Sequence, residues 1–155
     1  MQLTAERKFI LLASTLTSFL TPFMGSSINV ALPDIARTFK LSAVTLGWTV
    51  TAYLLTTAVF LVPAGKLADL IGRRKIFITG ILTFLTGTLL SGLAFSGASL
   101  IVFRLIQGIG GAMIFSTGLA LLTSYFPSEN RGQVLGISTA ATYTGLSLGP
   151  VVGGF

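Results

Sequence analysis

The chain has 155 residues, 52% of them hydrophobic and 9% charged, with mean hydropathy +0.90 and neither cysteine nor histidine. Soluble globules carry about a quarter charged residues, so this chain belongs in a bilayer; disulfide and thiol chemistry are excluded, and four acids without histidine leave too little for a metal site or an acid–base dyad. The net charge of +6 comes from ten Lys/Arg placed in short gaps between apolar runs, a pattern of membrane topology rather than of nucleic-acid binding, so no nucleic-acid partner is expected.

The charges divide the chain. Uncharged stretches run from Phe9 to Pro33, Leu41 to Gly65, Ile76 to Phe103, Leu105 to Ser128 and Gly132 to Phe155. Each is longer than the ~20 residues that cross a hydrocarbon core ~30 Å thick. The fold class that follows is an all-α, multi-pass integral membrane protein. It forms one bundle domain over residues 1–155, with five helices at approximately 9–33, 44–65, 76–95, 99–125 and 133–155.

The first of these follows "ERK", as the h-region of a signal peptide would. Its apolar run is too long for that, and no small-residue cleavage site follows, so it is read as a retained helix. Near its end Pro33 frees the carbonyl of Asn29, whose amide either lines a polar cavity or makes a buried interhelical hydrogen bond. The first connection falls at "DIARTFKLSA" and the second at "GKLADLIGRRK". In the second, Gly65 and Gly72 bracket a turn where Asp69 sits among Lys66, Arg73, Arg74 and Lys75. The bases alone are positive-inside topology. The carboxylate can cap exposed N–H groups or face a helix dipole, and the glycines permit close approach of a neighbour.

After the third connection near "FSGAS", the fourth helix carries Arg104 in the middle of the charge-free span from Ile76 to Ser128. An arginine there either snorkels to the outer interface or faces the bundle. Arg104, Gln107, Gly108 and Gly111 recur at i, i+3, i+4 and i+7, one stripe both polar and small, which marks a packing face and makes Arg104 a functional-site candidate. The fourth connection, "FPSENRGQ", precedes a fifth helix in which Gly145, Gly149 and Gly153 repeat every four residues. That register lets another helix pack at backbone distance, and Pro150 allows a kink at the carbonyl of Leu146. Counting bases places Arg7, Lys8, Lys66, Arg73, Arg74, Lys75 and Arg131 on one side against Arg37 and Lys40 on the other. The amino terminus and the 2–3 and 4–5 loops are therefore expected in the cytoplasm. The last helix reaches "GPVVGGF" without a polar anchor, so the chain is expected to be the truncated amino-terminal portion of a longer polytopic protein.

Three of these stretches resemble signatures of the major facilitator superfamily, in the family's order. "GKLADLIGRRK" resembles its loop 2–3 motif through Gly65, Leu67, Ala68, Asp69, Gly72, Arg73 and Arg74. "RLIQGIGGA" resembles its fourth-helix motif through Arg104, Gln107, Gly108 and Gly110 to Ala112. "GLSLGPVVGG" resembles its antiporter motif through Gly145, Gly149, Pro150, Gly153 and Gly154. "NVALPDI", Asn29 to Ile35, is further similar to the multidrug-exporter branch, especially fourteen-helix drug:proton antiporters.

The resemblance implies a rocker-switch secondary transporter of the cell membrane, with this chain supplying five helices of an amino-terminal six-helix bundle. Asp69 and Arg73 would hold the cytoplasmic side closed in the outward-facing state, Arg104 would serve proton coupling, and the glycine–proline motif would shape the fifth helix. The partners implied are a small-molecule substrate, protons, membrane lipid and the remaining helices of the same transporter. No cofactor is implied beyond the proton gradient, and no enzyme activity. Many relatives carry an acid in the first helix five positions before the asparagine; here that position is Met24. The expected function is proton-coupled antiport exporting drugs or other small amphipathic molecules. An uptake carrier or symporter, and a non-transporting helix-bundle scaffold, are the alternatives. Arg104 being effectively always protonated, it would tune or pair with a carboxylate or the substrate; the first five helices offer no candidate for a proton-carrying carboxylate.

Overall fold

A computed structural model describes residues 4–153, so Gly154 of the fifth-helix motif lies outside the described residues. Five α-helices follow one another: α1 (Ala5–Phe39), α2 (Ala43–Ile71), α3 (Arg73–Gly92), α4 (Gly97–Tyr125) and α5 (Ser128–Gly153). Four of them, α1 to α4, are long and apolar enough to cross a membrane. α5 has the length, at 26 residues, but its glycines and hydroxyl residues lower its hydropathy. Its outer face does not have to be its most apolar one, because it lies along α1.

The helices run past the charge-free stretches that mark the spans. α1 continues through Pro33 to Phe39 and stops where Lys40 takes a left-handed conformation (φ 50°), its N–H capping the Ala36 carbonyl. α2 continues through Lys66 and Asp69 to Ile71, and α3 starts at Arg73, so the second connection shrinks to Gly72 alone. Charged residues end the membrane-embedded part of a helix without ending the helix, since the backbone bonds persist in water. Gly72 makes the corner with φ +113°, a conformation that side-chain-bearing residues rarely adopt. Ser42 and Ser96 cap α2 and α4, the latter reciprocally with Ser99 in a capping box.

The helices bury their hydroxyls internally. Thr17, Thr21, Thr49, Thr57, Thr88, Thr117 and Thr142 each donate to the carbonyl four residues earlier, which satisfies the side chain without water. Their outer surfaces carry exposed leucine and valine, such as Leu12, Leu55, Val59, Leu82 and Val102, as expected where the solvent is hydrocarbon.

α4 is the central element, packing on α3 and α2 with further contacts to α1 and α5, while α1 and α5 form a second tight pair. Glycines set these approaches. A Cβ on Gly110 would run into the Phe84 backbone of α3. One on Gly108 would lie 2.8 Å from the Tyr53 carbonyl oxygen of α2. At the basic end of the bundle Arg74 on α3 meets Glu6 on α1 at 3.2 Å, and the Tyr125 hydroxyl at the end of α4 donates to the same carboxylate at 3.5 Å. At the opposite end Leu41 packs against Gly97.

Candidate functional site

Arg104 lies about two turns into α4 and is 3% exposed. Its stripe mate Gln107 is 2% exposed, so the face formed by residues 104, 107, 108 and 111 points inward. Removing a guanidinium from water costs several kcal/mol unless it is paired, and α2 and α4 supply the partners. Nε donates to the Thr49 carbonyl of α2 at 3.2 Å. Nη1 donates to Oε1 of Gln107 at 2.6 Å. The guanidinium carbon stands 4.9 Å from the centre of the Tyr53 ring, a cation–π contact that compensates part of the desolvation. Nη2 is buried without a hydrogen-bond partner among the described residues.

Two cavities meet at Arg104. The larger, about 650 Å³, is walled by α1, α2, α4 and α5, with Asn29, Tyr53, Thr57 and Phe115 among its lining. The smaller, about 310 Å³, lies on the other flank and is lined by Met24, Ser27, Thr88, Gln107 and Gly153, with Arg104 common to both. The larger wall is mostly apolar, broken by hydroxyls, the Asn29 amide and one cationic group, and no carboxylate lines it. Such a surface fits a small amphipathic molecule of several hundred Å³.

The fifth-helix motif faces α1. A Cβ on Gly145 would overlap the Phe19 carbonyl oxygen. One on Gly149 would strike Ser26 and come within 2.8 Å of the Phe23 carbonyl oxygen, and one on Gly153 would sit 2.9 Å from Ser27. Pro150 is inside the helix without ending it. The side of α5 stripped of side chains is therefore spent on α1, and α1 in turn carries Thr21, Gly25 and Asn29 on the cavity side.

At the basic end Arg73 holds Asp69 through Nε (3.1 Å) and Nη2 (3.0 Å) on one carboxylate oxygen, and Nη1 reaches the Ser124 hydroxyl of α4 at 3.4 Å. Both partners are substantially exposed, 44% and 64% at the side chain, so this pair contributes at most about 1 kcal/mol here. Arg74 turns away from Asp69 toward Glu6. Gly65 leaves room against α4, its nearest neighbour being Ser116 at 3.8 Å from a built Cβ.

Sequence patterns found Arg104 because a charge in an apolar run is conspicuous. They did not find Tyr53, Thr49 or Thr88, which lie on other helices and look like ordinary residues of apolar segments. Glu6 was legible only as part of a charged amino end.

Residues 14–155 match the sequence profile of the Major Facilitator Superfamily. The chain belongs to that superfamily. This major facilitator is 40% identical over 145 residues to the multidrug resistance protein Stp of Mycobacterium tuberculosis (strain CDC 1551 / Oshkosh), covering 93% of this chain and 27% of that protein. It is 31% identical over 149 residues to the riboflavin transporter RibZ of Clostridioides difficile (strain 630), covering 96% and 33%. Its fold matches the crystal structure of a bacterial homolog to the human lysosomal transporter Spinster, in an inward-facing and occupied conformation, with TM-score 0.86 and 27% identity over 97% of this chain and 33% of that one. The chain thus spans about a third or less of the length of the relatives it matches. Superfamily members are carriers rather than enzymes, and this chain corresponds to an amino-terminal part of one.

Proposed function

We propose that this major facilitator is part of a proton-coupled antiporter that exports drug-like or other small amphipathic molecules across the cell membrane by alternating access. The observation that carries this reading is Arg104: a buried cation shared by two cavities, held on two edges and left open on a third. An open, charged donor edge in a low-dielectric wall attracts a carboxylate or a substrate acceptor strongly, and loses that partner when the acceptor is protonated. Proton arrival and substrate release are thereby linked at one group. Gln107 and Gly108 belong to the same unit, the first as acceptor for Arg104 and the second by letting α2 approach.

In this reading Asp69 and Arg73, with the Gly72 corner, form the cytoplasmic switch, and Gly65 and Arg74 flank it. Gly145, Gly149, Pro150 and Gly153 keep α5 and α1 moving as one body. The amino terminus and the α2–α3 and α4–α5 junctions face the cytoplasm in this reading, which the distribution of bases supports. The proton-carrying carboxylate is contributed by other helices of the same transporter. The similarity to multidrug proteins supports export.

A second reading, a carrier for a metabolite, is favoured by the riboflavin transporter among the relatives and by Met24 standing where an acid would attract cationic drugs. One experiment tests the first. Proteoliposomes holding the transporter that carries this chain, loaded with a fluorescent amphipathic substrate, are given a pH gradient. Proton-coupled export predicts substrate movement against the proton flow that stops when an uncoupler collapses the gradient. Flux that ignores the gradient would remove proton antiport.

A further inference from the structure

We infer that Thr88 on α3 is a positioning residue for Arg104, acting through the Gln107 amide, so that a helix absent from the wall of the main cavity sets the direction of the coupling group. The inference rests on the reading of Arg104 given above.

The geometry is a directional chain of hydrogen bonds. The single hydroxyl proton of Thr88 goes to the Phe84 carbonyl of its own helix at 2.8 Å, so toward α4 Thr88 Oγ1 acts only as an acceptor. It accepts from Gln107 Nε2 at 2.8 Å. With the NH₂ end of the amide committed to Thr88, the carbonyl end faces Arg104 and accepts from Nη1 at 2.6 Å. The reversed amide would set two donors against each other at Arg104 and two acceptors against each other at Thr88. The backbone of Phe84 thus dictates, through two side chains, which end of Gln107 Arg104 meets. With Nε fixed on Thr49 of α2, the guanidinium plane is held at two points on two helices, and its unpaired Nη2 edge is presented in one direction.

The backbone makes this reach possible. A Cβ on Gly87 would lie 2.6 Å from the Gln107 nitrogen and 2.7 Å from its Cα, so α3 and α4 touch at this level with nothing between them. The neighbouring Thr88 then reaches the Gln107 side chain. Thr88, Gln107 and Arg104 all border the smaller cavity, while no α3 residue borders the larger one.

Thr88→Val keeps the shape and removes the acceptor. In proteoliposomes of the transporter carrying this chain, under an imposed pH gradient, proton-driven flux per inserted molecule is expected to fall about three- to tenfold, the loss of one net hydrogen bond at the positioned group. Its pH profile is expected to shift, and Thr88→Ser is expected to restore both to near wild type. Gln107→Leu should lower flux as well, and the Thr88→Val/Gln107→Leu double variant should be no worse than Gln107→Leu alone, because both cut one chain. If Thr88→Val does not insert, Thr88→Ala, which leaves only a smaller side chain beside a cavity, is used in the same cycle. Wild-type flux per molecule and an unmoved pH profile, or additive losses in the double variant, would overturn the inference. Arg104→Lys in parallel separates the levels. An inactive Arg104→Lys beside a fully active Thr88→Val rejects the positioning chain and leaves the role of Arg104 standing, whereas a fully active Arg104→Lys removes that role and the inference with it.

Discussion

At Arg104 the proposed role depends on how far its partners offset burial of the charge. A lone buried guanidinium is destabilising by several kcal/mol, and two hydrogen bonds with a cation–π contact offset part of this. Tyr53 faces the guanidinium with its ring, so Tyr53→Phe, which keeps the ring, should transport at close to the wild-type rate. Tyr53→Leu, which removes the ring, should lose about 0.5–2 kcal/mol of stabilisation at the site, read as a lower melting temperature in detergent and reduced flux. Gly72 is the second decisive residue. Its φ of +113° predicts that Gly72→Ala destabilises by about 1–3 kcal/mol and disturbs the Asp69–Arg73 pair across the corner, although a built Cβ meets nothing within 4 Å. Denaturation of purified protein measures this, and an unchanged midpoint would mean the corner relaxes freely. The sequence made Arg104 legible because charge is rare there. Tyr53 and Thr88 were hidden because partnership between helices depends on rotation and depth, which a single chain's periodicity does not contain.

Among the elements, α5 is the clearest case of sequence and packing agreeing on position while hydropathy points elsewhere. The four-residue glycine register announced a close helix contact, and the contact is with α1; which helix would receive it was not written in the register. The helix provides its own control. Gly145→Ala inserts a methyl group into the Phe19 backbone and should destabilise by about 1–3 kcal/mol, whereas a built Cβ on Gly136, in the same helix, has nothing within 4 Å. Gly136→Ala should be neutral or stabilising by up to about 1 kcal/mol through helix propensity. Equal melting temperatures for the two variants would show that α5 does not ride on α1. Helix ends were the least legible feature. Charges marked where spans leave the hydrocarbon, yet α1 and α2 continue beyond them, because after Pro33 and Gly65 no further proline or glycine interrupts the helix until Lys40 and Gly72 take positive φ.

For the whole molecule, seven bases gather at the end where α1 begins and where α2 meets α3 and α4 meets α5, while Arg37 and Lys40 lie by the α1–α2 connection. The proposed orientation predicts that a reporter fused after Lys75 is cytoplasmic and one placed within residues 95–99 is external; the reverse labelling would invert the topology. At the basic end Glu6 joins α1 to α3 and α4 through Arg74 and Tyr125, next to the Asp69–Arg73–Ser124 contacts. These exposed bonds are individually weak, which suits the proposed role of this end as a joint that opens in each cycle. The proposed mechanism requires that Arg104 couple a proton to this opening. The direct measurement is proton-driven substrate flux per inserted molecule for Arg104→Lys in proteoliposomes with an imposed pH gradient. Lysine keeps the charge but loses the planar fork that Thr49 and Gln107 hold, so the account predicts that coupled flux falls at least tenfold with insertion unchanged; wild-type flux from the lysine variant would contradict it and leave Arg104 a structural cation.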